Sequence, residues 1–454
     1  MKKDREKMSS ENKAFQKYLM IWIGEFISSI GSGLTAFALG VYVFQTWDSA
    51  AAVSLTTLCA FLPTILLNPV GGVLADRFDR RLMMICGDLF SAIGLIYILI
   101  CFRSGGLEQW QIYIGVTISA VFVALLEPAY KATITDLLSE EDYAKASGMM
   151  QLAASSKYLL SPLIGAFLLS FTSIGTIFIM DISTLGVTVI IVALIRKSIP
   201  LRKQYREKLR LLGDLKEGWH ALSGNRGVMT IVILISVATF YLGFLQTLIS
   251  PMILSFSNEK ALGIIESVSA VAMLIGSVVI GILHLKRYVS TLAAGFGFAG
   301  IFIIFLGSST NLILITIAGV MFFTVLPFIN TSAEVMIRCR IPNAVQGRAW
   351  GLISILSQMG FVLAYACAGV VADQIFNPMF LTDGLLAGTV GRIIGVGPGR
   401  GIGFMLILSG FFLIVLGLVI RKMKILKTME AAVTNTKEAA GQGAIPDQSL
   451  KGEG

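Results

Sequence analysis

Apolar residues in this chain gather into continuous blocks of about 18–28, each closed by a short polar or glycine-bearing break. A helix needs about 20 residues to cross a hydrocarbon core of about 30 Å. Lipid offers backbone amides no water, so a spanning block must satisfy them internally, as a helix does. The blocks lack strand-period alternation, which excludes a transmembrane barrel. The pattern predicts twelve helices at about 17–46, 50–75, 81–102, 110–138, 145–171, 174–196, 228–253, 261–284, 289–307, 311–337, 346–373 and 403–422. Lys2, Lys3, Arg5 and Lys7 precede the first block. That block is too long for a signal-peptide core and no cleavage site follows, so it reads as a retained first helix.

Composition supports the same class. Of 454 residues, 55% are hydrophobic and only 14% charged, with a mean hydropathy of +0.81. A soluble protein of this length needs far more charge to cover its surface. The net charge of +9 comes from Lys and Arg in alternate loops: the head, 76–82, 196–227, 338–348 and the tail from Arg421. The opposite loops carry only Arg103, Lys260, Arg392 and Arg400. The positive-inside bias therefore predicts cytoplasmic termini in a multi-pass protein of the cell membrane, and a basic balance that needs no nucleic-acid partner. Cys59, Cys86, Cys101, Cys339 and Cys367 are odd in number and show no CxxC spacing, so they read as small hydrophobes without a disulfide framework. With only His220 and His284 besides, no metal site and no cofactor is expected.

The expected fold is all-α and integral to the membrane, with twelve helices arranged as two six-helix pseudo-repeats. The divisions are a cytoplasmic head (1–17), a first bundle (18–196), a linker (197–227), a second bundle (228–422) and a disordered tail (423–454). In the linker, Leu209, Leu212, Leu215 and Trp219 recur at helical spacing among basic residues, the pattern of an amphipathic helix on the membrane face. The repeat shows in Pro128 and Pro327, which precede Gly148 and Gly347 by equal intervals.

One loop carries a specific motif. Between the second and third blocks the chain reads GGVLADRFDRRLMM. This resembles the signature loop of the major facilitator superfamily, approximately G-x-L-a-D-R-x-G-R-R, matched by Gly72, Leu74, Asp76, Arg77, Arg80 and Arg81. Asp79 stands where the family usually has Gly, a residue that tolerates left-handed backbone angles. The D-R-x-D-R-R form with Asp88 in the next helix resembles the macrolide-efflux and enterobactin-exporter branch. Glu127-Pro128-Ala129, Ser161-Pro162 with Gly165, Asp181, the run Gly213–Gly218, and Gly347-Arg348 agree with that branch. The resemblance implies a monomeric secondary transporter that moves a small molecule by alternating access, with the motif loop acting as a gating latch. It further implies export of amphipathic compounds in exchange for protons. Gly72 is expected to let two helices approach closely.

Eight ionisable residues fall within apolar blocks: Glu25, Asp88, Glu127, Lys131, Lys157, Asp181, Glu266 and Glu334. Each costs about 2.5–3.5 kcal/mol at the centre of a lipid-facing helix, so they should face a cavity or one another. Glu127 and Lys131, like Glu334 and Arg338, are four apart and able to pair on one helix. Asp181 and Lys157 are suited to pair between helices, and Asp88 lies near enough to the loop to join the Asp76 network. Glu25, Glu127 and Asp181 are the candidate proton carriers. Ser161, Pro162 and Gly165 mark a bend in the fifth helix, either an ordinary kink or a shortened antiporter motif. Gly395–Gly401 reads as a turn, because no strand precedes it and no G-K-[ST] follows. Uptake of a metabolite is the competing transport reading. A membrane enzyme lacks a catalytic cluster, a sensor lacks a soluble domain, and ATP-driven pumping lacks a Walker motif.

Overall fold

The computed structural model describes residues 2–138, 142–196, 219–220, 222–283, 287–338, 340–341 and 346–431. Most of the predicted linker, His284, Cys339 and the tail beyond 431 lie outside the described residues. Among the described residues the regular structure is helical without strands, and twelve spans are long and apolar enough to cross a membrane.

The first half contains α1 (Lys2–Trp47), α2 (Ala50–Arg77), α3 (Arg80–Arg103), α4 (Gln109–Leu137), α5 (Tyr143–Leu159), α6 (Ser161–Leu169) and α7 (Ile174–Ile195). The second half contains α8 (Arg226–Leu254), α9 (Glu259–Ile282), α10 (Tyr288–Ser308), α11 (Leu312–Arg338) and α12 (Gln346–Val371). A π-helical turn follows at Ala372–Phe376, then short helices α13 (Asn377–Met379) and α14 (Gly391–Ile394), and finally α15 (Arg400–Lys422). The fifth predicted block is two helices. Pro162 has no N–H to continue the ladder, and α5 gives way to α6 at Leu160. Ser161 Oγ donates instead to the Ile30 carbonyl of α1 at 3.1 Å.

Two compact units divide the chain. One comprises Met1–Leu209, Leu242–Ala270 and Phe361–Ile402; the other comprises Arg210–Tyr241, Val271–Gly360 and Gly403–Gly454. In the first unit α1 is the central strut. Tyr18 OH donates to the Ala146 carbonyl at 2.9 Å, Trp22 Nε1 to the Met149 carbonyl at 2.6 Å, and Thr188 Oγ1 of α7 to the Gly24 carbonyl at 3.1 Å. These polar side chains meet backbone oxygens between helices, where lipid gives apolar contacts no special advantage. In the second unit Ser236 and Thr239 of α8 donate to the carbonyls of Leu356 and Ser357 on α12, at 2.9 and 2.6 Å.

Candidate functional site

The α2–α3 loop builds its geometry on Asp79. Its φ of −63° is ordinary extended backbone, so this position requires no left-handed angle. Asp79 caps α3, with Oδ1 accepting from the Arg81 amide at 3.1 Å. The carboxylate also receives Arg81 Nε at 2.8 Å and Arg196 Nη2 at 3.2 Å, and Arg81 reaches the Arg196 carbonyl. The residue that departs from the signature thus ties the start of α3 to the end of α7. Burial opposes the charge on Asp79, but hydrogen bonds and charge from Arg81 and Arg196 outweigh it and hold the carboxyl below the usual carboxylate range. Arg80 spans the other side of the loop, donating to the Ala75 and Ala132 carbonyls and to Asp136 Oδ2 at 2.9 Å.

Asp76 occupies the last turn of α2 and Arg77 is exposed; the side chains of Asp76 and Arg348 and the surroundings of Gly347 are outside the described residues. The close helix approach expected at Gly72 falls one residue earlier. A Cβ on Gly71 would lie 2.7 Å from the Ala124 carbonyl oxygen, whereas one on Gly72 would meet nothing within 4 Å.

A second group lies inside the bundle. Asp88 of α3 is 5% exposed and Asp181 of α7 is 2% exposed, and Asp88 lies within electrostatic range of both Asp181 and Glu25 of α1. Three carboxylates from three helices therefore share one interior. Lys157 of α5 is the cation within electrostatic range of Asp181, and Ser32 Oγ donates to Asp181 Oδ1 at 3.5 Å. Neither Glu25 Oε1 nor Asp88 Oδ2, both buried, has a hydrogen-bond partner among the described residues. Gly31 makes the arrangement possible: a Cβ there would sit 2.9 Å from Asp181 Oδ1 and 3.3 Å from the Asp181 Cα. Tyr130 of α4 borders Glu25 as well.

The remaining intramembrane charges divide into two kinds. Lys131 Nζ bonds Glu127 Oε1 at 2.6 Å, and Arg338 Nη2 bonds Glu334 Oε1 at 2.5 Å, each within one helix and half-exposed. Glu266 of α9 accepts from Ser250 Oγ of α8 at 3.3 Å. Among the described residues it has no ion-pair partner.

One contact had no counterpart in the expectations. Asp373, in the π-helical turn after α12, meets the start of α2. Ser49 Oγ donates to Oδ2 at 2.8 Å, the Ala51 amide to Oδ2 at 2.9 Å, and the Ala50 amide to Oδ1 at 3.2 Å. Ser49 Oγ in turn accepts from the Ala52 amide at 3.1 Å, so the first amides of α2 are satisfied by two side chains. Negative charge at a helix N-terminus is favourable, which strengthens the contact. Ser54 Oγ donates to the Tyr365 carbonyl at 2.6 Å, and Gly369 packs on the backbone of Ala50 and Ala51, where a Cβ would be 2.6 Å from the Ala51 Cα. The sequence signal was a Ser before an apolar helix start and a single Asp at the end of an apolar block. Nothing in the sequence joined residues 324 apart.

A model of the Major Facilitator Superfamily matches residues 21–365. The chain is 26% identical over 389 residues to macrolide efflux protein A of Streptococcus pyogenes, covering 84% of this chain and 95% of that protein. It is 27% identical to the MFS-type transporter YfiS of Bacillus subtilis, covering 84% and 93%. Among solved structures it is similar to the nucleoside transporter NupG, with a TM-score of 0.68 at 14% identity, covering 90% of this chain and all of that one. A bacterial homologue of the iron transporter ferroportin gives a TM-score of 0.64 at 13% identity, covering 92% and 99%.

Proposed function

Because the chain belongs to the Major Facilitator Superfamily and is a multi-pass membrane transporter, we propose that it exports amphipathic small molecules of macrolide type in exchange for protons. The observation that supports this most directly is the charge count inside the α1–α3–α7 bundle. Glu127 is matched by Lys131, and Asp181 has Lys157 nearby. That leaves Glu25 and Asp88 within electrostatic range of each other, and among the described residues neither forms an ion pair with a basic side chain. Two neighbouring carboxylates in a medium of low dielectric do not both ionise, so the pair carries a shared proton. Alternating access exposes that pair to one side and then the other, and the proton leaves as substrate binds.

The Lys and Arg distribution supports cytoplasmic termini in the cell membrane. In that orientation the Asp373 contact closes the outer end, and the Asp79 loop faces the cytoplasm. Efflux agrees with the similarity to macrolide efflux protein A over most of both chains.

The test uses everted vesicles given a labelled macrolide in the external medium and driven by an imposed pH gradient, acid inside. Wild type should accumulate the compound and lose it on addition of a protonophore. Glu25→Gln and Asp88→Asn should each lower gradient-driven accumulation at least tenfold while leaving equilibrium macrolide binding within about twofold. Accumulation by wild type that ignores the protonophore would remove proton exchange. Full coupling in both variants would remove this pair as the carrier.

A further inference from the structure

Beneath the Asp373 contact, four helices of the first unit bring polar and aromatic side chains together. Tyr365 OH of α12 donates to Gln246 Oε1 of α8 at 2.7 Å. Phe61 of α2 and Phe361 and Tyr365 of α12 meet edge-to-face or tilted, with ring centroids 5.3–5.8 Å apart. Gln246 and Ser250 are one turn apart on the same face of α8, about 6 Å along its axis. Ser250 in turn holds Glu266 of α9. Two separate hydrogen bonds, Ser250 to Glu266 and Tyr365 to Gln246, thus lie about one helical turn apart along α8.

Tyr365 itself is only 4% exposed, but two features show that the cluster borders open space. Gln246 is exposed although it lies well inside a spanning helix, and Tyr158 of α5, which borders Tyr365 electrostatically, is 62% exposed. A primary amide facing lipid is costly, so its exposure favours a polar space over lipid at this face. Glu266 is joined to this face through Ser250 and forms no ion pair with Lys or Arg among the described residues; Lys157, next to Tyr158, lies within electrostatic range of Asp181. An unmatched carboxylate in such a place calls for a positive charge from elsewhere. Rings about one turn of α8 away, reached through Gln246 and Ser250, favour a cation that is bulky and weakly hydrated, because the π-face attracts positive charge once water is removed.

We infer that Glu266, with Phe61, Phe361 and Tyr365, binds the cationic end of the transported molecule, an amine or quaternary onium group on a lipophilic body. The inference rests on the export reading and assigns its specificity: a cation is selected by Glu266, whereas a neutral compound of similar size relies on the rings alone. Glu266 is separate from the Glu25–Asp88 pair, so recognition and proton carriage fall on different carboxylates.

The test is equilibrium binding to the purified full-length protein in nanodiscs, using tetraphenylphosphonium as a permanent cation and chloramphenicol as a neutral probe. Glu266→Gln should weaken tetraphenylphosphonium binding at least tenfold and change chloramphenicol binding less than twofold, and Glu266→Asp should restore most of the cation affinity. Phe361→Leu should weaken both. Unchanged cation binding in Glu266→Gln overturns the inference and leaves the export reading standing. Equal loss of both probes assigns Glu266 a structural role and also overturns it. A wild-type protein that binds neither probe defeats the reading of an amphipath exporter, and the inference with it.

Discussion

At the scale of single residues, the most informative position is the one that departs from its family's signature. Asp79 accepts the N-terminal amide of α3 and gathers Arg81 and Arg196, which glycine has no side chain to do. Replacing it with Ala removes a cap worth about 1 kcal/mol and leaves Arg81, only 8% exposed, short of its anion. Thermal unfolding in detergent should show the Asp79→Ala midpoint several degrees below wild type. Because the folded carboxyl titrates below its unfolded value of about 3.9, its contribution is complete above that pH and fades as the pH falls through the folded value. The gap between wild type and variant should therefore be full at pH 7 and shrink below about pH 4. A gap that stays constant down to pH 3 would show that the charge has no part in it.

At the scale of elements, the helices were legible because lipid imposes length and continuity on each one, and ten of the predicted blocks are single helices with both ends within a few residues. The exceptions are local. The fifth block breaks at Leu160, where Pro162 removes a donor, and α1 begins at Lys2, well before the apolar stretch that predicts it. The i to i+4 pairs Glu127–Lys131 and Glu334–Arg338 were also readable, since one helix fixes their spacing. Contacts between helices were not. Gly71 and Gly72 are equivalent in sequence, and only the neighbouring α4 distinguishes them. The grouping of Asp88 with Glu25 and Asp181, and the seat of Asp373 on α2, depend on how separate helices rotate about their axes, which composition does not encode. Asp373→Asn keeps the shape but loses the charge that α2 attracts. Cysteines placed at Ala51 and Ile375 should then crosslink several-fold less than in wild type, with Ser49→Ala giving a similar decrease. Equal crosslinking in all three proteins would mean the carboxylate is dispensable for holding those ends together.

At the scale of the molecule, the twelve spans and the family were carried by hydropathy and by one loop motif, two signals that survive at 26% identity because each has a physical cause. Which end faces the cytoplasm rests on charge placement alone. In a cysteine-free background, an impermeant maleimide applied to intact cells should label Gly105→Cys in the α3–α4 turn and spare Lys424→Cys beyond α15. The reverse pattern would invert the proposed orientation and, with it, the direction in which substrate is carried.

The seat of Asp373 on α2 also bears on economy of transport. A carrier that reoriented freely while empty would let protons slip across without cargo and drain the gradient it lives on. Three hydrogen bonds to a carboxylate, each worth about 1.5–3 kcal/mol, oppose that idle turn. In the proposed export cycle bound substrate would supply what breaks them, so the contact assigned to the outer end would also keep each turn of the carrier tied to its cargo.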